Sequence, residues 1–341
     1  MNDDIRLLID RTAADCIEGK TAGRDTIVQL LGIDPLSEEA DYLRAKAGHA
    51  AQIITGGEAY LWGAIGVDSV PCSMNCRFCS FGEEWGLVKN SVVFDDHDID
   101  RQVELYASSH IHYIVLRTTE FYSIDELCAK IRRLKKLVPK TCEFILNTGE
   151  FDDEIAAKMY DAGVSGIYHA LRLREGIDTG FDPSVRKRTM QAVKDSPLKL
   201  ISLVEPVGPE HTDEELADAF LVTMEYGAAI SGIMARIPVP GTPLGDTEQI
   251  SPERIAQITA VFRLAAGDKI RDICVHPPTP GAAFAGGNVT VVEMGAIPRD
   301  DKVSAAEWLG YTASDAKAMM EEAGYRVISD VSPVLGYIRA K

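Results

Sequence analysis

The sequence predicts an α/β fold, and three observations carry that prediction. Eight short apolar runs of strand length alternate with amphipathic stretches at helical spacing. The runs are near-continuous in apolar residues, as strands of a parallel sheet buried on both faces require. No Pro/Gly linker, repeat or low-complexity tract divides the 341 residues, so one domain is expected. Eight strands with intervening helices is the count of a (β/α)8 barrel. A doubly wound open sheet predicts the same alternation, and periodicity alone does not separate the two.

Taken in order, residues 1–57 read as an N-terminal helical lead-in, with patterns at 5–16, 24–31 and 38–54. The expected strands are 61–69, 112–117, 143–147, 166–170, 199–205, 232–239, 270–275 and 288–293. Helices are expected at 124–137, 153–162, 184–194, 213–226 and 251–266, several preceded by Asp, Ser or Thr at a plausible N-cap. A further helix at 313–323 closes the barrel region, taken as 58–325, and 326–341 form a C-terminal tail.

Hydrophobic residues make up 46% and charged residues 26%, which excludes disordered, collagen-like and coiled-coil chains. The net charge of −17 repels phosphate backbones and anionic lipid, and no basic patch offsets it. Neither nucleic acid nor membrane is therefore an expected partner; a small-molecule ligand or a protein is. The opening MNDDIRLLID has neither a basic region nor an unbroken apolar run, so a cytoplasmic location is expected.

Seven cysteines are present, and Cys72, Cys76 and Cys79 crowd into CxxxCxxC. That segment follows the first strand, which in a barrel makes it a loop on the catalytic face. Three thiolates from one loop can hold three irons of a [4Fe–4S] cluster and leave the fourth iron open to an exchangeable chelating molecule. Structural zinc is the alternative, but it usually needs a second Cys or Cys/His pair, and none stands in the chain. Cys16, Cys128 and Cys274 fall in helical or strand patterns where a buried thiol packs as a small apolar group.

The triplet, with aromatic Phe78 before its last cysteine, resembles the radical S-adenosylmethionine (SAM) superfamily. The resemblance spans residues 40–325 and points to the branch that holds biotin synthase, the iron-only hydrogenase maturase and methylornithine synthase. It implies a single (β/α)8 TIM-type barrel with an N-terminal helical extension. It also implies a [4Fe–4S] cluster whose open iron binds SAM, cleaved by one electron to methionine and a 5′-deoxyadenosyl radical. After the second strand, Thr118, Thr119 and Glu120 stand where the family has Gly-Gly-Glu, so Glu120 is expected on the methionine amino group; a helix first-turn carboxylate is the plain alternative. The resemblance implies that Arg172 with Glu175 reaches the SAM carboxylate and ribose and that Arg188 reaches the carboxylate; a surface salt bridge and a solvated basic face are the plain alternatives. Gly241, Thr242, Pro243 and Leu244 match the family's Gly-Thr-Pro-Leu turn near the adenosine, and an ordinary turn explains the same composition.

Biotin synthase holds a second cluster on three further cysteines and an arginine; here only Cys142 and Arg271 stand near those places. Sulfur insertion is therefore disfavoured, and a radical rearrangement, fragmentation, methylation or addition in cofactor or amino-acid biosynthesis is expected. His169, Arg117, Glu205, Arg236 and Cys142 lie on or beside strands and are the expected substrate contacts, with a cluster ligand, a hydrogen-atom donor or a buried packing thiol as the other readings of Cys142. For the two arginines an ion pair with Glu143 or Glu205 is the plain alternative. Electrons are expected from a flavodoxin- or ferredoxin-like protein, with Arg77 and Lys89 the basic residues near the cluster loop. A sulfur-inserting synthase of biotin or lipoyl type with an auxiliary cluster, and a non-catalytic iron–sulfur scaffold or carrier, remain the alternatives.

Overall fold

A computed structural model describes residues 2–111, 113–293 and 311–329. Its strands are β1 (Glu58–Gly66), β2 (Asp68–Ser69), β3 (Val92–Val93), β4 (Tyr113–Arg117), β5 (Glu143–Asn147), β6 (Gly166–Tyr168), β7 (Lys199–Ile201), β8 (Val204–Val207), β9 (Ile230–Ala235), β10 (Asp272–His276), β11 (Val289–Glu293) and β12 (Arg326–Val327). Its helices are α1 (Asp3–Ile17), α2 (Arg24–Leu31), α3 (Glu38–Thr55), α4 (Asp96–Ser108), α5 (Ile124–Leu134), α6 (Asp153–Ala162), α7 (Pro183–Lys194), α8 (Asp213–Glu225), α9 (Pro252–Ala266), α10 (Pro280–Phe284) and α11 (Ala313–Glu322).

β1 pairs in parallel with β4 on one side and β11 on the other, and β9–β10–β11 closes the ring. The sheet is a closed parallel barrel of eight positions, one of them shared by β7 and β8. Expected strand 199–205 is divided into β7 and β8 at Ser202 and Leu203, which keep the register against β9; the shift comes later, between Val204 and Val207, and Ile201, Leu203 and Glu205 line the interior at period two. Expected strand 232–239 starts earlier and stops at Ala235, since Pro238 and Pro240 bring no N–H to a ladder. The small antiparallel pair β2–β3 sits beyond β1 at the mouth.

Helix α4 was not expected. Its buried Ile99, Val103 and Tyr106 have helical spacing, but acidic residues between them dilute the pattern, and Asp95 caps it by accepting from the Asp98 N–H. Glycine is required at position 63, where a Cβ would lie 2.6 Å from the Tyr106 ring that packs against β1. Helix α9 is buried from Ile255 to Ala266 because α1, α2 and α3 wrap the face that solvent would otherwise meet. Two apolar layers separate helices from barrel, and a third fills the barrel floor with Tyr60, Trp62, Tyr113, Val115, Ile145 and Val289.

Of the expected tail, residues 326–329 continue from α11 into β12, which pairs with the start of β1, and the remainder lies outside the described residues. His112, at the start of an expected strand, also lies outside them. No described helix is long and apolar enough to cross a membrane.

Candidate active site

The cysteine loop leaves the mouth of the barrel after β2 and folds back on itself. The Cys72 N–H donates to the Phe81 carbonyl at 2.7 Å, the Glu83 N–H to Cys72 at 3.1 Å, and the Cys79 N–H to Cys76 at 2.9 Å. Two neighbouring loops hold it from outside: Gly180 N–H donates to Met74 O at 2.8 Å, and Leu244 N–H to Arg77 O at 3.0 Å. A Cβ on Gly180 would stand 2.6 Å from that Met74 oxygen, so only glycine lets the strands of chain approach this closely.

All three thiols are free and half-buried. Burial pushes Cys72 up and Cys76 up to about 12, with Arg172 opposing the rise at Cys76. Thiolates at these positions therefore need a metal's charge, which a cluster supplies. Among the described residues no three ligating side chains converge on one point, as a single tetrahedral ion would need. A cuboidal cluster binds each thiolate to a different iron, and this loop of three separate sulfurs fits it.

Asp68 organises the adjoining loop. It is 3% exposed, and its carboxylate accepts from the Thr119 N–H at 2.8 Å and from the Thr119 hydroxyl. Glu120 follows, outside the helix that Ser123 caps, so it is not a first-turn carboxylate. Its backbone N–H lies against the Cys72 sulfur, and its carboxylate accepts from the Glu150 N–H at 3.2 Å. Burial and the Glu150 charge raise it to about 6.

Next to Glu120 lies a buried charged cluster. Arg186 donates to Glu150 at 2.6 Å and to Ala170 O at 2.8 Å, with Glu175 at 3.4 Å. Thr189 also donates to Glu150, and the His169 Nε2 lies 3.4 Å from it. Burial disfavours the Glu150 charge, but His169, Arg186 and Thr189 outweigh it and hold the carboxyl at about 2. Burial and Arg186 hold His169 at about 4, so its imidazole is neutral. Arg172 spans this cluster and the cavity: its N–H donates to Glu175 at 2.8 Å, and its Nε lies 3.6 Å from Glu205. Arg172 Nη1 and Arg186 Nε are buried without a hydrogen bond, and both face Glu175, at 3.9 and 3.4 Å.

Inside the barrel a cavity of about 320 Å³ runs from Phe78 and Cys79 down to Trp62 and Cys274. Arg117 pairs with Glu293 at 2.5 Å across the small Ala64 and Gly66 of β1, so its partner is neither Glu143 nor Glu205. On the opposite wall the Tyr168 hydroxyl donates to Glu205, whose carboxyl burial raises. Arg236 is 3% exposed and forked onto Glu210, with one bond of 2.8 Å and another to Thr247 Oγ1 at 2.8 Å. Asn147 and His276 complete the polar wall, and Val115, Ile201, Leu203, Met234 and Val291 the apolar one.

The expected site residues divide accordingly. Phe78, Cys79, Thr118, Arg117, Arg172, Glu205 and Arg236 line the cavity, while Cys72, Cys76, Thr119, Glu120 and Glu175 surround its upper end. His169 faces Glu150 and is not among the cavity's lining side chains. Gly241, Thr242, Pro243 and Leu244 brace the cysteine loop, and it is Ile237, Pro238 and Val239 before them that line the cavity. Arg188 is exposed on α7 and bonds only Ser184 Oγ at 3.3 Å; two residues earlier on the helix, Arg186 points inward with Thr189, Met190 and Val193. Cys142 lies before β5 at the opposite end of the barrel, beside Lys135, Val138 and Pro139, and Arg271 is likewise at that end, bonded to Glu58 at 2.8 Å. Asp68, Asn147, Tyr168, His276 and Glu293 were not singled out, although each stands at the C-terminal end of an apolar run in phase with inward-facing residues.

The Radical SAM superfamily domain matches residues 67–221. Biotin synthase 2 of Corynebacterium diphtheriae is 23% identical over 339 residues, 94% of this chain and 96% of its own length. The biotin synthase of Renibacterium salmoninarum is 27% identical over 265 residues, 73% and 75% of the two chains. Among solved structures, methylornithine synthase shares the fold with a TM-score of 0.76 at 15% identity, over 96% of this chain and 98% of that one. The FeFe-hydrogenase maturase HydG from Carboxydothermus hydrogenoformans gives 0.74 at 11% identity, over 99% and 82%.

Proposed function

We propose, from the Radical SAM superfamily match at residues 67–221 and the similarity to biotin synthases, that this chain is a radical SAM enzyme performing carbon-centred radical chemistry on a small substrate, in cofactor or amino-acid biosynthesis, without donating sulfur itself. The observation that carries the reading is a cavity that joins the cysteine loop to a mixed polar and apolar barrel interior. A scaffold or carrier of clusters has no use for such a cavity.

Cys72, Cys76 and Cys79 hold the [4Fe–4S] cluster in this reading. Bound there with SAM, the cluster supplies the one-electron cleavage that yields a 5′-deoxyadenosyl radical. Glu120, beside Cys72, receives the amino group, and Arg172, on the cavity wall, receives the carboxylate. Phe78, Thr118 and the 237–239 segment wall the adenosine. Arg117, Asn147, Tyr168, Glu205, Arg236 and His276 orient the substrate's polar groups, and Trp62 with its apolar neighbours excludes water beneath them.

Against sulfur insertion stands the position of Cys142 and Arg271 at the far end of the barrel from the cavity. The test is anaerobic reconstitution of the wild type and the Cys142→Ala variant. About four irons per chain, deoxyadenosine release on reduction, and no change in the variant support the reading. Iron clearly above that value, lost in the variant, overturns it in favour of a sulfur-inserting synthase.

A further inference from the structure

One aromatic side chain outside the cavity is tied to all three cysteines of the loop. Trp85 ends a single 3-10 turn, Glu83–Trp85, that follows them. Its indole Nε1–H donates to the Cys76 carbonyl at 3.3 Å. The ring lies against Gly82, where a Cβ would stand 2.2 Å from Nε1 and 2.5 Å from Cδ1, so any side chain there would displace it. Gly82 in turn is bridged to Cys72, and its N–H donates to the Cys79 carbonyl at 3.3 Å. The indole thus meets the loop directly at Cys76, and through Gly82 at Cys72 and Cys79. Two further bonds fix the turn: Asn75, held at φ 43°, donates through Nδ2 to Glu84 Oε1 at 3.0 Å and accepts from the Glu84 N–H at 3.1 Å. Phe78, Cys79, Ser80 and Phe81 line the cavity and Trp85 does not, so the loop stands between cavity and indole. Trp85 is half-buried while Glu83, Glu84 and Gly86 around it are exposed, which places the ring between the cysteines and solvent.

Resting on the reading that Cys72, Cys76 and Cys79 hold a [4Fe–4S] cluster, we propose that Trp85 is a fixed cover that keeps water from the cluster on the side away from the cavity. It thereby holds the reduction potential low and slows loss of the cluster to oxygen. The reduced cluster carries one more negative charge than the oxidised one, and water stabilises that charge. Excluding water therefore makes the reduced form a stronger reductant, which SAM cleavage needs. A ring that only packed the loop would set how much cluster the protein retains, but not the properties of the cluster retained.

The test compares wild type, Trp85→Ala, Trp85→Phe and Gly82→Ala, reconstituted anaerobically, desalted and brought to equal cluster content without SAM. Midpoint potentials are read by redox titration followed by electron paramagnetic resonance, and oxygen sensitivity by the loss of visible cluster absorbance in air-saturated buffer. Trp85→Ala is expected to raise the potential by about 59 mV or more, a tenfold change in the one-electron equilibrium, and to bleach at least about tenfold faster. Gly82→Ala, which pushes the indole aside without removing it, is expected to shift both in the same direction. Trp85→Phe keeps a ring without the N–H and is expected to shift both by less than Trp85→Ala. If either quantity in Trp85→Ala stays at the wild-type value, the proposal is overturned, whatever the iron retention. Where Trp85→Ala holds no cluster, wild-type values in Gly82→Ala and Trp85→Phe overturn it equally. A wild type that takes up no cluster overturns instead the reading on which the proposal rests.

Discussion

Glu150→Gln removes the one carboxylate that Arg186, Thr189 and His169 all face, and changes almost no volume. The Glu150 carboxyl is held at about 2 against an ordinary 4.5, which at about 1.4 kcal/mol per pH unit is on the order of 3 kcal/mol. Its partner pulls the other way: burial and Arg172 lower Arg186, so the pair as a whole contributes less than the Glu150 value alone implies. The carboxylate side is the firmer one, because three side chains favour it and its own exposure is 17%. In the variant Arg186 keeps only Glu175, at 3.4 Å, for charge compensation. A loss of about 2 to 3 kcal/mol is expected, a fall in Tm on the order of 5 °C. The sign with pH follows from the depressed value: the stabilisation is complete above about 4.5 and is lost as pH falls toward 2. Denaturant melts of both proteins from neutral pH downward measure it, and the variant should lack that part of the acid slope. A Tm within about 1 °C of wild type together with an unchanged acid slope would refute the reasoning.

His169 contributes in a neighbouring window: its folded value of about 4 lies below the ordinary 6.5, so stability falls as pH drops between these values, and His169→Asn should flatten that interval in the same melts. Arg172→Gln should weaken SAM binding to the reconstituted protein at least about tenfold, and Arg188→Gln less than about twofold, measured by anaerobic equilibrium dialysis. Equal effects would return the carboxylate contact to Arg188. Gly180→Ala forces a methyl against the Met74 carbonyl and should lower iron retention after desalting with little change in the far-ultraviolet circular dichroism. Full iron retention would show that the cysteine loop needs no support from that side.

The alternation of apolar runs and helical patterns was legible because each strand and helix carries its own period, and all eight barrel positions follow from it. The CxxxCxxC spacing was legible because the three thiols lie on one loop. Glu120 was singled out by the resemblance of its segment to the family's Gly-Gly-Glu turn, and its nearness to Cys72 across the barrel mouth is a matter of tertiary structure. What sequence left undecided depends on closure and phase. Arg117 meets Glu293 only because the last strand returns beside the first, placing β11 and β4 on either side of β1. Arg186 and Arg188 differ by two residues, about 200° around a helix, and only the packing of α7 on the barrel says which one faces Glu150. Cys142 and Cys274 both border strands, but one precedes its strand and the other points inward from the middle, so strand polarity sends them to opposite ends of the molecule. A closed barrel turns one-dimensional order into an inside, an outside and two ends, and the cavity that joins Cys79 to Cys274 exists only once all eight positions are in place.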